Sequence, residues 1–244
     1  MPHKVCIVGS GNWGSAIARI VGKNAQQHAT LETNVEMWVY EEQIDGENLT
    51  DIINKTHVNV KYLPDATLPE NVHAEPDLAI AAKDATLLIF VLPHQFLGRI
   101  CPVIKAAVAP GCKAISLIKG IEFEDGAPKL ISSMIKENLD NMDVSVLMGA
   151  NVANEVAKDD FCEATIGCLD PEAVDTWKSV FNLPTFRITV VGDVAGVELC
   201  GALKNVVALG AGFCDGLGWG GNTKAAIVRI GLGEMKAFCD LFFK

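Results

Sequence analysis

The chain has 244 residues, is 50% hydrophobic and 20% charged, and carries a formal charge of −10 at pH 7. That composition is globular and long enough for one large or two modest domains. The acidic balance argues against a nucleic-acid binder, and an anionic ligand would need a locally positive site. Eight cysteines are scattered without a C-x-x-C pair. This points away from zinc or a redox dithiol and toward buried, reduced thiols in a cytoplasmic protein. The opening "MPHKVCIVGSG" lacks a signal-peptide layout, and no uncharged apolar run of membrane-spanning length occurs, so no membrane partner is expected.

In chain order, "KVCIVG" (4–9) reads as a strand and "NWGSAIARIVGKNA" (12–25) as a helix. "NVEMWVY" (34–40) reads as a second strand. "DATLLIFVLP" (84–93) and "CKAISLIK" (112–119) are continuous apolar runs, as expected for strands buried on both faces. Further strands are predicted at 143–149, 163–169 and 185–191, with helices at 95–107, 128–139 and 171–181. This alternation predicts an α/β fold: a Rossmann-like, doubly wound, mostly parallel sheet. From Asp193 the strands cease. Two long helical patterns follow, the first opened by Asp193 as N-cap. The predicted division is a dinucleotide-binding domain over 1–192 and the beginning of an all-helical domain over 193–244, which two helices would leave incomplete.

"GSGNWG" (9–14) has G-x-G-x-x-G spacing between a strand and a helix. Gly9 suits the tight turn, Gly11 lets backbone approach a pyrophosphate, and Gly14 lets helix and strand pack closely. Free N–H groups and the helix dipole would favour the phosphate. The second strand runs into Tyr40, Glu41 and Glu42. An acid there would bond the ribose 2′-hydroxyl and select NAD over NADP, with Tyr40 flanking the adenine.

Ligands of such sheets bind beyond the carboxyl ends of the strands. Pro93, His94, Phe96, Lys119 and Asn151 all fall there. His94 reads as a loop-ordering residue rather than a base. Lys119 is a second cation or a solvated strand-end lysine. In "CGALKNVVAL" (200–209), the neighbours of Lys204 one turn away are Cys200, Gly201, Val207 and Ala208. Small apolar surroundings lower an amine's pKa toward a range useful for proton transfer. The alternative is a lysine that snorkels to water.

Together "VCIVGSGNWGSAIARIV", "FVLPHQF", "SLIKG", "LMGAN", "ELCGALKNVVALGAGFCDGLG" and "NTKAAIVRIGLGEM" resemble NAD-dependent glycerol-3-phosphate dehydrogenases, the eukaryotic cytosolic type in particular. The resemblance implies reversible reduction of dihydroxyacetone phosphate to sn-glycerol 3-phosphate by NADH. It implies a homodimer, no metal, and small phosphorylated substrates. Carried over by motif, Gly9, Ser10, Gly11, Asn12, Trp13 and Gly14 hold the dinucleotide, with Tyr40, Phe96, Lys119 and Ala153 around it. Lys119 and Asn205 contact substrate, and Lys204 is the general acid/base.

Two departures accompany the resemblance. The family's helical domain continues beyond this point and contains a "GGRNR"-type phosphate-binding motif. Gly221 stands where the animal enzymes have an acid. The resemblance therefore implies a C-terminally truncated form that binds NADH and turns over poorly. Two alternatives remain: a 6-phosphogluconate or 3-hydroxyisobutyrate type of dehydrogenase, in which the helical lysine and asparagine are spaced apart, and a non-catalytic short isoform that binds NAD or a full-length subunit.

Overall fold

A computed structural model describes residues 1–243. Its centre is an eight-stranded sheet formed by β1 (His3–Val8), β2 (Leu31–Trp38), β3 (Val72–Glu75), β4 (Leu87–Phe90), β5 (Lys113–Ser116), β6 (Val144–Gly149), β7 (Cys162–Gly167) and β8 (Phe186–Val191). The strand order is β8-β7-β6-β5-β4-β1-β2-β3. All neighbours run parallel except β6 and β7, which pair antiparallel. The order reverses between β1 and β4, and that switch point opens a crevice at the carboxyl ends of both strands.

The apolar runs explain the layering. In β1, Val5 and Ile7 face one core layer, while Cys6 and Val8 face the other. Alternate side chains point to opposite faces, so a strand apolar at every position must be covered on both. One layer packs α1 (Asn12–Ala25), α2 (Leu49–Thr56) and α7 (Pro171–Phe181), with Ile17, Ile53, Trp177 and Phe181 fully buried. The other packs α3 (Leu78–Ala81), α4 (Leu97–Ala107) and α5 (Ile131–Asn138) through Leu97, Ile104 and Ile131.

The strands and long helices predicted from sequence are present, and α1 and α7 keep their predicted bounds. Sequence periodicity missed β3 and α2. β3 is a short edge strand, "VHAE", with its two outward residues polar or half-buried. The helix expected to open at Pro128 instead starts at Ile131. Pro128 lies in a hairpin formed by Glu122–Glu124 and Ala127–Lys129. No side chain at the helix start supplies the cap, so the sequence holds no local start signal.

The missing cap comes from α8 (Val194–Gly216). Glu198, fully buried, accepts hydrogen bonds from the backbone N–H groups of Ile131 at 2.6 Å and Ser132 at 3.2 Å. A short α6 (Ala153–Val156) precedes β7, and α9 (Gly221–Phe242) packs antiparallel beside α8. Asp193 caps α8 by accepting from Gly196 N at 2.8 Å, as predicted. Glycines set the close approaches. A Cβ at Gly201 would lie 2.5 Å from Met148 of β6, and one at Gly231 of α9 would lie 2.5 Å from Val207 of α8. By length and composition α8 could cross a bilayer, a helix the sequence reading did not flag. Here it is packed on the sheet through Glu198 and Gly201. Its outer side exposes Val206, Leu209 and Phe213, continued by Leu217 just past its end.

Burial raises the Glu198 pKa, and the hydrogen bonds from Ser132 and Ile131 offset this only in part. A carboxyl whose folded pKa is raised contributes stability fully present below its unfolded pKa, near 4.5, and lost as pH rises through the folded value. Glu198→Gln removes that dependence while keeping an acceptor for α5. The difference in Tm, variant minus wild type, is expected to move in the variant's favour between pH 5 and pH 8. A flat difference would assign Glu198 an ordinary pKa.

Candidate functional site

The loop between β1 and α1 lies at the switch point. Gly9 has φ +120°, and a Cβ there would lie 2.7 Å from the Val91 carbonyl oxygen. Conformation and space both require glycine. A Cβ at Gly14 would lie 2.4 Å from the Gly9 carbonyl oxygen, so the helix can approach the loop only without a side chain. A Cβ at Gly11 would meet nothing within 4 Å. Its backbone instead borders open space.

Gly11 is also the N-cap of α1, with no side chain capping it and no acid in the first turn. The leading N–H groups and the positive end of the helix dipole therefore stay available to an anion. These three glycines, each with a separate reason, fit a dinucleotide pyrophosphate. Buried Asn59 fixes the loop from beneath. It donates to the Ser10 carbonyl and to Ser15 Oγ, both at 2.9 Å. Asn12 Nδ2 donates to the Tyr62 carbonyl at 2.7 Å and to Asn154 Oδ1 at 2.9 Å.

The carboxyl ends of the parallel strands bring three predicted residues together. Lys119 Nζ lies over the Trp13 ring, 5.5 Å from its centroid. Desolvation, and secondarily the charge of Lys204, lower the Lys119 pKa. Lys119, just past β5, is therefore near enough to Lys204 of α8 for their charges to repel. A pair of cations held against their own repulsion is suited to an anionic ligand.

Lys204, half-buried, lines a cavity of about 580 Å³ between α8, α9 and the end of β6, with Gly149, Ala150 and Gly201 among its walls. Gly201 seats α8 against Met148, and this places Lys204 one turn further on. Asn205 is exposed. Adjacent helical residues point about 100° apart, so Lys204 and Asn205 occupy different faces of α8.

Other predicted residues spread along the same edge. Phe96 follows β4 and is exposed, and Tyr40 follows β2 and is exposed. Ala153 opens α6 and packs against the core beside the loop. His94 Nε2 lies 3.3 Å from Glu122 Oε2 of the hairpin after Lys119, consistent with loop ordering. The two acids after Tyr40 are engaged locally. Glu41 accepts from the Thr50 hydroxyl at the start of α2, and Glu42 pairs with Lys61. The expectation that one is free for a ribose hydroxyl therefore meets two acids already partnered. Asn151 donates to the Glu163 carbonyl at 3.0 Å. Among the described residues, no group of three or more His, Cys, Asp or Glu side chains is arranged to hold a metal.

Sequence reasoning missed Asn59 and Glu198. Asn59 sits in the mixed run "HVNVKYLP", which has no periodicity to mark it. Glu198 was detectable: it is a charge within an apolar helix, the same signal that singled out Lys204.

A sheet of this order, with a glycine-only helix start at its switch point, defines a dinucleotide-binding protein of the doubly wound class. Family sequence models described as NAD-dependent glycerol-3-phosphate dehydrogenase N-terminus and C-terminus match residues 4–174 and 193–244. The chain is 59% identical over 239 residues to the Homo sapiens protein named glycerol-3-phosphate dehydrogenase [NAD(+)], cytoplasmic, covering 98% of this chain and 68% of that one. A solved Saccharomyces cerevisiae glycerol-3-phosphate dehydrogenase superposes with a TM-score of 0.92 at 46% identity, over 100% of this chain and 71% of that one. A solved Plasmodium falciparum glycerol-3-phosphate dehydrogenase also gives 0.92 at 46% identity, over 99% of this chain and 67% of that one. The chain belongs to the NAD-dependent glycerol-3-phosphate dehydrogenase family, oxidoreductases that act on a CH–OH group.

The glycine geometry separates binding from stability. Gly11 has φ −61° and ψ −175°, allowed for any residue. Gly11→Val is expected to keep a near wild-type Tm and to lose NADH affinity by about tenfold or more, about 1.4 kcal/mol. Gly14→Ala is expected to lower stability by roughly 1–3 kcal/mol through overpacking. Fluorescence titration and calorimetry read the two effects. Wild-type NADH binding by Gly11→Val would place the pyrophosphate elsewhere.

Proposed function

We propose that this chain has its family's chemistry, the reversible reduction of dihydroxyacetone phosphate to sn-glycerol 3-phosphate with Lys204 as general acid/base, and that its turnover is low. The observation that supports this most is Lys119, which stacks over Trp13 at the glycine loop and feels the charge of Lys204. When bound, NADH supplies the hydride that the substrate carbon accepts. Gly9, Ser10, Gly11, Asn12, Trp13 and Gly14 hold the dinucleotide. Tyr40, Phe96, Lys119 and Ala153 border it.

The chain's own residues handle charge and protons. As hydride reaches the carbonyl carbon, negative charge develops on the carbonyl oxygen. An ammonium at Lys204 Nζ stabilises that charge and donates the proton. In the reverse direction a neutral Lys204 takes the hydroxyl proton. Lys119 adds a second positive charge against the anionic substrate, with Asn205 beside it. Dianionic substrate relieves the repulsion between the two lysines, so binding is expected to raise the lowered Lys119 pKa. The same proposal divides the chain at residue 192, with the dinucleotide on the sheet and the substrate facing α8. It places the protein in the cytoplasm, like the relatives named cytoplasmic.

Steady-state NADH oxidation with dihydroxyacetone phosphate, run beside NADH titration, tests this reading. Lys204→Ala is expected to cut kcat by about 100-fold or more while leaving NADH affinity within about twofold. Parallel loss of both would make Lys204 structural. Lys119→Ala is expected to raise KM for the phosphorylated ketone. An unchanged KM would remove Lys119 from the substrate site.

A further inference from the structure

Helices α8 and α9 carry three of the eight cysteines: Cys200 and buried Cys214 on α8, and Cys239 on α9. Gly210 of α8 faces Ile227 of α9, with 3.2 Å from a Cβ at Gly210 to Ile227 Cγ2. Gly231 of α9 faces Val207 in the same way at 2.5 Å. The helices run antiparallel, so two turns back along α8 from Val207 meet two turns forward along α9 from Gly231. Those positions are Cys200 and Cys239. Both line the cavity that Lys204 borders, and the Cys200 thiol is close enough to the Cys239 thiol to help raise its pKa, after burial. Glycine at 231 lets the two helices pack closely against Val207, and the same seam carries Cys200 and Cys239 into one cavity.

We infer that Cys200 and Cys239 are a peroxide-responsive thiol pair that closes an intramolecular disulfide between α8 and α9, one turn from Lys204. Cys200 is exposed and Cys239 half-buried, so peroxide reaches Cys200 first. The Cys200 thiolate attacks one peroxide oxygen, the S–O bond forms, the O–O bond breaks, and the second oxygen leaves as water after taking a proton. Cys239 then attacks the sulfur of that sulfenic acid. The S–S bond forms, the S–O bond breaks, and a second water departs with the Cys239 proton. Two thiols lose two electrons in all, and one peroxide becomes two waters.

Competing thiols are disfavoured. Cys6, Cys101, Cys112, Cys168 and Cys214 are buried, and desolvation raises the thiol of half-buried Cys162. Burial pushes the Cys101 thiol to about 11 and the Cys112 thiol to about 12, so they present little thiolate to peroxide. In a reducing compartment the pair rests as dithiol and closes only under oxidation, the usual mode of such bonds there.

Peptide mapping of the reduced chain after brief hydrogen peroxide treatment and alkylation tests the inference. The expected result is loss of two alkylatable thiols, one linked species joining the peptides that contain Cys200 and Cys239, and its reversal by dithiothreitol. Cys200→Ser and Cys239→Ser should each abolish that link. The oxidised wild type should show a higher Tm than the reduced form, because the link closes a long loop. Cys239→Ser should show no such rise. Higher oxidation confined to Cys200, a link to any other cysteine, or full alkylation of both thiols would overturn the inference.

Discussion

The contact on which the rest of the site depends is the one between Glu198 and the start of α5. Burying a carboxylate is costly unless hydrogen bonds and a favourable dipole offset the lost solvation. Here two backbone N–H groups and the amino end of α5 supply both. The contact satisfies a helix end that has no cap of its own, and it fixes the start of α8 on the sheet. One turn on, Gly201 brings α8 against Met148, and Lys204 follows one turn later. Its position relative to Lys119 is therefore set by a charge and a missing side chain elsewhere on the helix.

The same economy governs the dinucleotide loop. Gly9 and Gly14 are fixed by backbone conformation and by atoms within 3 Å of a would-be Cβ. Gly11 is fixed by nothing in the protein. A residue that the fold does not need, at the uncapped start of a helix, is what a ligand-facing position looks like. Asn59 completes the arrangement by holding Ser10 and Ser15, which stiffens the turn into α1.

Much of this was legible in the residues. "KVCIVG" is apolar at successive positions, so the strand had to be covered on both faces. "GSGNWG" had to be a turn into a helix, and Asp193 had to start one. Lys204 stood out because an amine on a small-residue helix face demands an explanation. What the residues did not reveal has a common cause. β3 is too short and too polar to show a period. α5 begins where a cap arrives from 67 residues away. Glu41 and Glu42 carried the right charge for a ribose, but the hydroxyl of Thr50 and the amine of Lys61 claim them through contacts that only the folded chain makes.

By itself, then, the sequence determined local matters: the alternation of strand and helix, the layers that apolar runs require, the glycine turn, and which side chains could carry proton chemistry. The tertiary structure decided everything that depends on distance between remote segments. It ran β7 antiparallel to β6, set Lys119 against Trp13 and within reach of the charge of Lys204, and brought Cys200 and Cys239 to one cavity. The physical reason is that periodicity and capping act within one or two turns of chain. Desolvation, charge repulsion and close packing act between whatever atoms the topology makes neighbours.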